Sequence, residues 1–135
     1  MALISWTDEL SVGIVEIDEQ HKKLIDIIND LHAATLKGKG KDAVGPILSG
    51  LSSYVAEHFA CEEKYFDRFD YAGSASHKLE HSEFIDRLTQ FQKDAERGKV
   101  MLSLDIMSFL EEWIKEHIKV SDKGYSGCFK ENGLS

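Results

Sequence analysis

From Asp18 onward, apolar side chains recur every three or four positions in four stretches, each closed by a glycine-containing or polar break. That spacing predicts four amphipathic helices. The first runs from about Asp18 to Lys37, with Asp18 placed as its N-cap and Gly38 just past its end. After the turn "KGKGKD", the second runs from Asp42 or Pro46 to Phe69. Its apolar positions Ile47, Leu48, Leu51, Tyr54, Val55, Phe59, Tyr65 and Phe66 keep helical period. Pro46 is tolerable there only within the first turn. "DYAGSAS" is the next break, with Ser74 or Ser76 able to cap a third helix that ends at Gly98. Ser103 caps a fourth, carrying Ile106, Phe109, Leu110, Trp113, Ile114 and Ile118 to about Val120, where "SDKGYSG" stops the pattern. Residues 1–17 lack the helical period and read as an extended arm; residues 123–135 read as a short tail. Four helices on short loops pack as an all-α, up-down-up-down four-helix bundle.

Composition narrows what such a bundle does. A chain of 135 residues is one domain, large enough to bury a core without disulfide staples. The net charge of −8, with no basic cluster longer than a few residues, argues against nucleic acid as a partner. No apolar run approaches the roughly 20 residues of a membrane span, and "MALISWTDEL" lacks the pattern of a signal peptide. Two cysteines, Cys61 and Cys128, outside any C-x-x-C pair, fit a reduced cytoplasmic protein. We expect Cys61 to serve packing and Cys128 to be inert.

The candidate chemistry lies in the histidines. "HFACE" places His58 and Glu62 four residues apart, and "HKLEH" does the same for His77 and His81. Four residues on a helix differ by about 40° in direction, so each pair shares a face. In an antiparallel bundle the start of the first helix, the end of the second, the start of the third and the end of the fourth meet at one end. His21, His58, His77, His81 and His117 all fall there, from all four helices. One helical histidine is ordinarily a core or surface residue. Five converging with inward carboxylates are repaid only by a metal.

Asp122, five residues after His117, is the candidate second acid. On an α-helix it would point about 140° away, so it joins the others only if the helix ends or tightens near Val120 and Ser121. If Glu62, Asp122 and a hydroxide each bridge two ions, the seven side chains and the hydroxide together supply all but one of the bonds that two octahedral ions require. His32, the remaining histidine, faces inward too far along the axis to join them and reads as a satisfied rim or core residue.

The set H…HxxxE…HxxxH…HxxxxD over four helices resembles the non-haem di-iron hemerythrins, and the likeness extends from Trp6 to about Tyr125. The resemblance implies two irons per chain, bridged by Glu62, Asp122 and an oxo or hydroxo group. It assigns His77, His81 and His117 to the six-coordinate iron, and His21 and His58 to the five-coordinate iron where dioxygen binds. It also implies an oxygen pocket lined by Leu24, Phe59, Trp113, Ile114 and Ile118, and structural roles for Trp6 and Tyr125. The expected function is reversible oxygen binding for transport, storage or scavenging, without catalysis, with an oxygen-consuming protein as a possible recipient. Two other readings compete. One is a di-iron enzyme that reduces peroxide or nitric oxide or oxidises iron, which would need a further acid, base or electron-transfer residue at the open position. The other is an oxygen sensor acting through a separate partner, since 135 residues leave no room for an output domain.

Overall fold

The computed structural model describes residues 3–98 and 102–135. After a 3-10 turn at Asp8–Leu10 come α1 (Val15–Leu36), α2 (Gly40–Phe69), α3 (Ser74–Glu96) and α4 (Leu102–Glu116). A π turn, His117–Asp122, then leads directly into α5 (Lys123–Glu131). The described residues are helical or irregular, with no strand among them, and α1 to α4 form the expected four-helix bundle.

The helix ends differ from the sequence reading in instructive ways. Helix α1 begins at Val15, because Ile14 and Ile17 extend its apolar stripe and are both buried. Asp18 is therefore inside the helix and does not cap it. Its carboxylate turns back to the arm instead, accepting the Val12 N–H at 2.8 Å and the Ser11 hydroxyl at 2.5 Å. Pro46 lies well inside α2, beyond the first turn. The N–H it lacks would have served the Asp42 carbonyl, and both residues are exposed, so water can take that place. Neither Ser74 nor Ser76 caps α3; Gly73 holds that position without a side-chain bond. Ser103 lies within α4 and not before it, and its side chain is outside the described set. Gly38 and Gly98 do close α1 and α3, at φ of 74° and 69°, where a Cβ would be strained.

The arm is pinned along its length. Asn29 accepts the N–H groups of Leu3 and Ile4 at 3.0 and 3.1 Å and donates to the Ile4 carbonyl at 2.9 Å. Trp6 packs partly buried against the main core, with the Lys22 ammonium 5.2 Å above its ring. Residues 123–131 are a helix and not a loose tail. Tyr125 and Phe129 on α5 are fully buried and build a second apolar cluster with Val12, Ile14, Ile17, Tyr65 and Phe66. Cys128 packs on that cluster. The larger cluster, with Leu24, Leu51, Phe59, Phe84, Leu110 and Ile118, fills the rest of the bundle. His21, His58, His77, His81 and His117 sit where the two clusters meet.

Candidate metal centre

His21 lies in the second turn of α1, His58 and Glu62 in the later half of α2, and His77 and His81 in the first turns of α3. His117 opens the π turn and Asp122 closes it. All seven side chains are buried, none more than 4% exposed. The helix neither ends nor tightens after His117, as the sequence reading required; it widens. Hydrogen bonds in a π turn run from i to i+5, so a residue five along returns to nearly the same face. That brings Asp122 round to His117, with Asp122 Oδ1 and His117 Nε2 3.0 Å apart.

The ligating atoms form two overlapping groups. Glu62, His77, His81, His117 and Asp122 make one; His21, His58, Glu62 and Asp122 make the other. Within each group the candidate atoms lie within 4.8 Å of one another, and both carboxylates belong to both groups. Asp122 offers one oxygen to each side: Oδ1 is 3.0 Å from His77 Nε2, and Oδ2 is 2.9 Å from His21 Nε2. Glu62 Oε1 lies 3.1 Å from His81 Nε2 and 3.6 Å from His58 Nε2.

These short distances are not hydrogen bonds. His21 Nε2, His81 Nε2, Glu62 Oε1 and both Asp122 oxygens are buried without an aligned partner. Such orphaned atoms are rare in native proteins and call for an explanation. Here their lone pairs converge on shared points and not on each other, as a bound cation requires. Imidazole and carboxylate donors together suit a first-row transition ion, so the residues present fit a metal pair.

The outward nitrogens are tied down helix by helix. Gln20 on α1 accepts from His58 Nδ1 on α2 at 2.6 Å. Glu63 on α2 accepts from His81 Nδ1 on α3 at 2.9 Å. Glu80 on α3 accepts from His117 Nδ1 at 3.0 Å and from the Ser121 hydroxyl at 2.7 Å. Each acceptor keeps a proton on Nδ1 and so reserves Nε2 as the nitrogen that would bind metal. Tyr125 donates its hydroxyl to Glu62 Oε2. Burial, with the Asp122 and Glu62 charges beside it, holds that phenol protonated, well above its ordinary range.

Electrostatics point the same way. Burial would raise Asp122, yet His117, His21 and His77 hold it well below the usual carboxylate range. Glu62 is lowered too: burial and Asp122 push it up, and the surrounding histidines outweigh them. Burial alone would push His117 down, but Asp122, Glu62 and Glu80 raise it to about 9. His58 goes the other way, carried by burial to about 4. Two ionised carboxylates buried together need positive charge, from protons or from cations, and the two compete.

Leu24, Phe59, Ile114 and Ile118 are buried in the main core, with Trp113 partly buried against it. Phe59 stacks on His81 at 3.7 Å, and Trp113 stacks on His117 at 4.2 Å. His32 is in neither ligand group; its Nδ1 is buried without a partner, so it is not satisfied as expected. Cys61 does more than pack, since its thiol donates to Glu16 Oε1 at 3.0 Å. Burial and the Glu16 bond push that thiol up to about 11. Sequence reasoning missed Gln20, Glu63 and Glu80. Their only signal is that each adjoins a candidate ligand, in "EQH", "CEE" and "LEH".

Residues 12–128 match the family model described as the hemerythrin HHE cation binding domain. A bacteriohemerythrin of Stenotrophomonas maltophilia is 33% identical over 96% of this chain and 84% of its own length. One from Methylococcus capsulatus is 33% identical over 95% of this chain and 98% of its own. The crystal structure of a wild-type hemerythrin superposes with a TM-score of 0.86 at 33% identity, covering 94% of this chain and 98% of that one. The fold and site thus define a helical-bundle protein with a buried His/Glu/Asp cluster of metal-binding type. The chain belongs to the hemerythrin family. No helix among the described residues is long and apolar enough to cross a membrane.

Proposed function

We propose that the chain binds dioxygen reversibly at a non-haem di-iron centre, for oxygen transport, storage or scavenging. The observation that carries this reading is the pair of ligand groups sharing Glu62 and Asp122. His77, His81 and His117 would hold one iron and His21 and His58 the other, with both carboxylates and an oxo or hydroxo group as bridges. When bound, the irons supply the redox-active pair that takes up oxygen. The two-histidine side has fewer protein donors, which leaves room there for a small ligand.

The protein's own residues supply everything around that event. Glu63, Glu80 and Gln20 fix the imidazole orientations. Tyr125 holds Glu62 by one oxygen. Leu24, Phe59, Trp113, Ile114 and Ile118 keep the site dry, which favours release of oxygen over its reduction. Delivery to an oxygen-consuming recipient in the cytoplasm completes the reading.

The test is the absorption spectrum of the anaerobically reduced, iron-loaded protein before air, after air and after the air is removed. A band that appears and then disappears on removing oxygen is the expected result. An irreversible change, or a protein that only takes up one zinc, would sink the proposal.

A further inference from the structure

Of the three outward-facing imidazole bonds, one is chemically unlike the others. His81 and His117 face carboxylates, which accept only. His58 faces the amide of Gln20, which can present either its oxygen or its NH2 group. The choice matters because a neutral imidazole carries its proton on one nitrogen. With the amide oxygen toward Nδ1, the proton sits on Nδ1 and Nε2 is bare. With the NH2 group there, the proton is driven to Nε2, which then cannot bind a metal.

What sets the amide lies on its far side. Gln20 Nε2 is 3.5 Å from Cys61 Sγ. The sulfur's own hydrogen is directed to Glu16 Oε1 at 3.0 Å, and Tyr65 donates to the other Glu16 oxygen at 3.0 Å. Glu16 as a carboxylate can only accept, so Cys61 must donate to it. The sulfur therefore shows lone pairs to Gln20, and only the NH2 end of the amide suits them. The oxygen end is left for His58. Tyr54 completes the arrangement by donating to the Gln20 backbone carbonyl at 3.0 Å. Glu16 and Gln20 are one turn apart on α1, facing Cys61 one turn from His58 on α2, so the chain of bonds spans a single helix pair.

We infer that Gln20 is a positioning residue holding His58 in the tautomer able to bind metal, and that Cys61 and Glu16 fix which way its amide faces. The inference rests on the proposed function only for what His58 Nε2 binds; the tautomer is a property of the metal-free chain. The carboxylate-backed histidines need no such lock, which explains why the relay appears at His58 and not at His81 or His117.

The experiment is NMR of the imidazole nitrogens in metal-free protein, followed by zinc titration. Wild type and Cys61→Ser, whose hydroxyl can donate and accept as the thiol does, should show His58 with its proton on Nδ1. Cys61→Ala and Glu16→Ala should give mixed tautomers, and zinc affinity at the two-histidine side should fall about tenfold. Adding Gln20→Glu to Cys61→Ala should restore both, because a carboxylate cannot turn a donor to His58. Glu16 is exposed, so its variant tests the relay even if the Cys61 variant folds poorly. Wild-type His58 protonated on Nε2, or both alanine variants keeping the proton on Nδ1, would overturn the inference. If the tautomers behave as expected while the iron-loaded protein binds no oxygen, the positioning role stands and the proposed function fails.

Discussion

The two sides of the candidate centre are built from the same imidazoles but backed differently. On the three-histidine side, His81 and His117 donate to the carboxylates of Glu63 and Glu80. On the two-histidine side, His58 donates to a neutral amide, and the buried Nδ1 of His21 has no partner. A carboxylate behind an imidazole makes it a more basic ligand and fixes its ring. The contrast reaches the inner atoms as well. Asp122 approaches both sides within 3.0 Å, whereas Glu62 stands 3.1 Å from His81 and 3.6 Å from His58. Under the proposed function the difference would be a division of labour, with the three-histidine side retaining its ion and the two-histidine side exchanging a ligand.

The largest effect should come from erasing what the two sides share. Glu62→Ala or Asp122→Ala removes a donor from both ligand groups. Elemental analysis should then show both irons lost, against about two per chain in the wild type if each group holds one ion. Retention of a full complement in either variant would mean that the carboxylates are not bridges.

Next comes His58→Ala, which strikes only the two-histidine side. It should leave the three-histidine group occupied, at about one iron per chain, and abolish oxygen binding. Oxygen titration at near-normal affinity in this variant would refute the assignment of the sides. A smaller change should blur the comparison without deleting a ligand. Glu80→Gln replaces a carboxylate backing by an amide, making His117 resemble His58. A loss of roughly tenfold in metal affinity at the three-histidine side is expected, within the range for such outer partners. Competition with a graded set of chelators measures it, and unchanged release from both sides would show that the backing groups are only structural.

Much of this was legible in the sequence because helical period is a local property. The four helices and the turns that separate them follow from spacing, and spacing plus antiparallel order brings the five histidines to one end. The parts that were not legible depend on geometry between elements or on a strained local choice. Nothing in "HIKVSD" announces a π turn, since the segment could equally have ended an α-helix; the burial of Asp122 against three histidines is what makes the wider turn worthwhile. "KGYSGCFKE" is short, with two glycines and only three apolar residues, Tyr125, Cys128 and Phe129, so α5 looks like a tail until Tyr125 and Phe129 are seen filling the second cluster. The acceptors Gln20, Glu63 and Glu80 sit beside ligands of their own helix yet serve histidines of the next one. That cross-pairing depends on how each helix is rotated, which no single helix encodes.

The smallest effect should come from the apolar wall, and it sharpens the comparison by leaving every ligand in place. Reversible binding requires that water and protons stay away, because two protons delivered to dioxygen, with one electron from each of two irons, would release it as hydrogen peroxide and leave both irons oxidised. Trp113 is a poor probe of that wall. It stacks on His117 at 4.2 Å, so its removal would disturb a ligand as well as the packing. Its replacement by alanine would also cost about 3–5 kcal/mol. Ile118 is aliphatic and only 1% exposed, so Ile118→Ala opens space without removing a ring stacked on a ligand. Folding is checked first by circular dichroism. The variant should still bind oxygen but lose its oxygenated spectrum several-fold faster in air, about 1 kcal/mol off the barrier. The rate should rise as pH falls, since the reaction consumes protons. A wild-type decay rate at every pH in a well-folded Ile118→Ala protein would mean that this side chain fills the core and guards nothing.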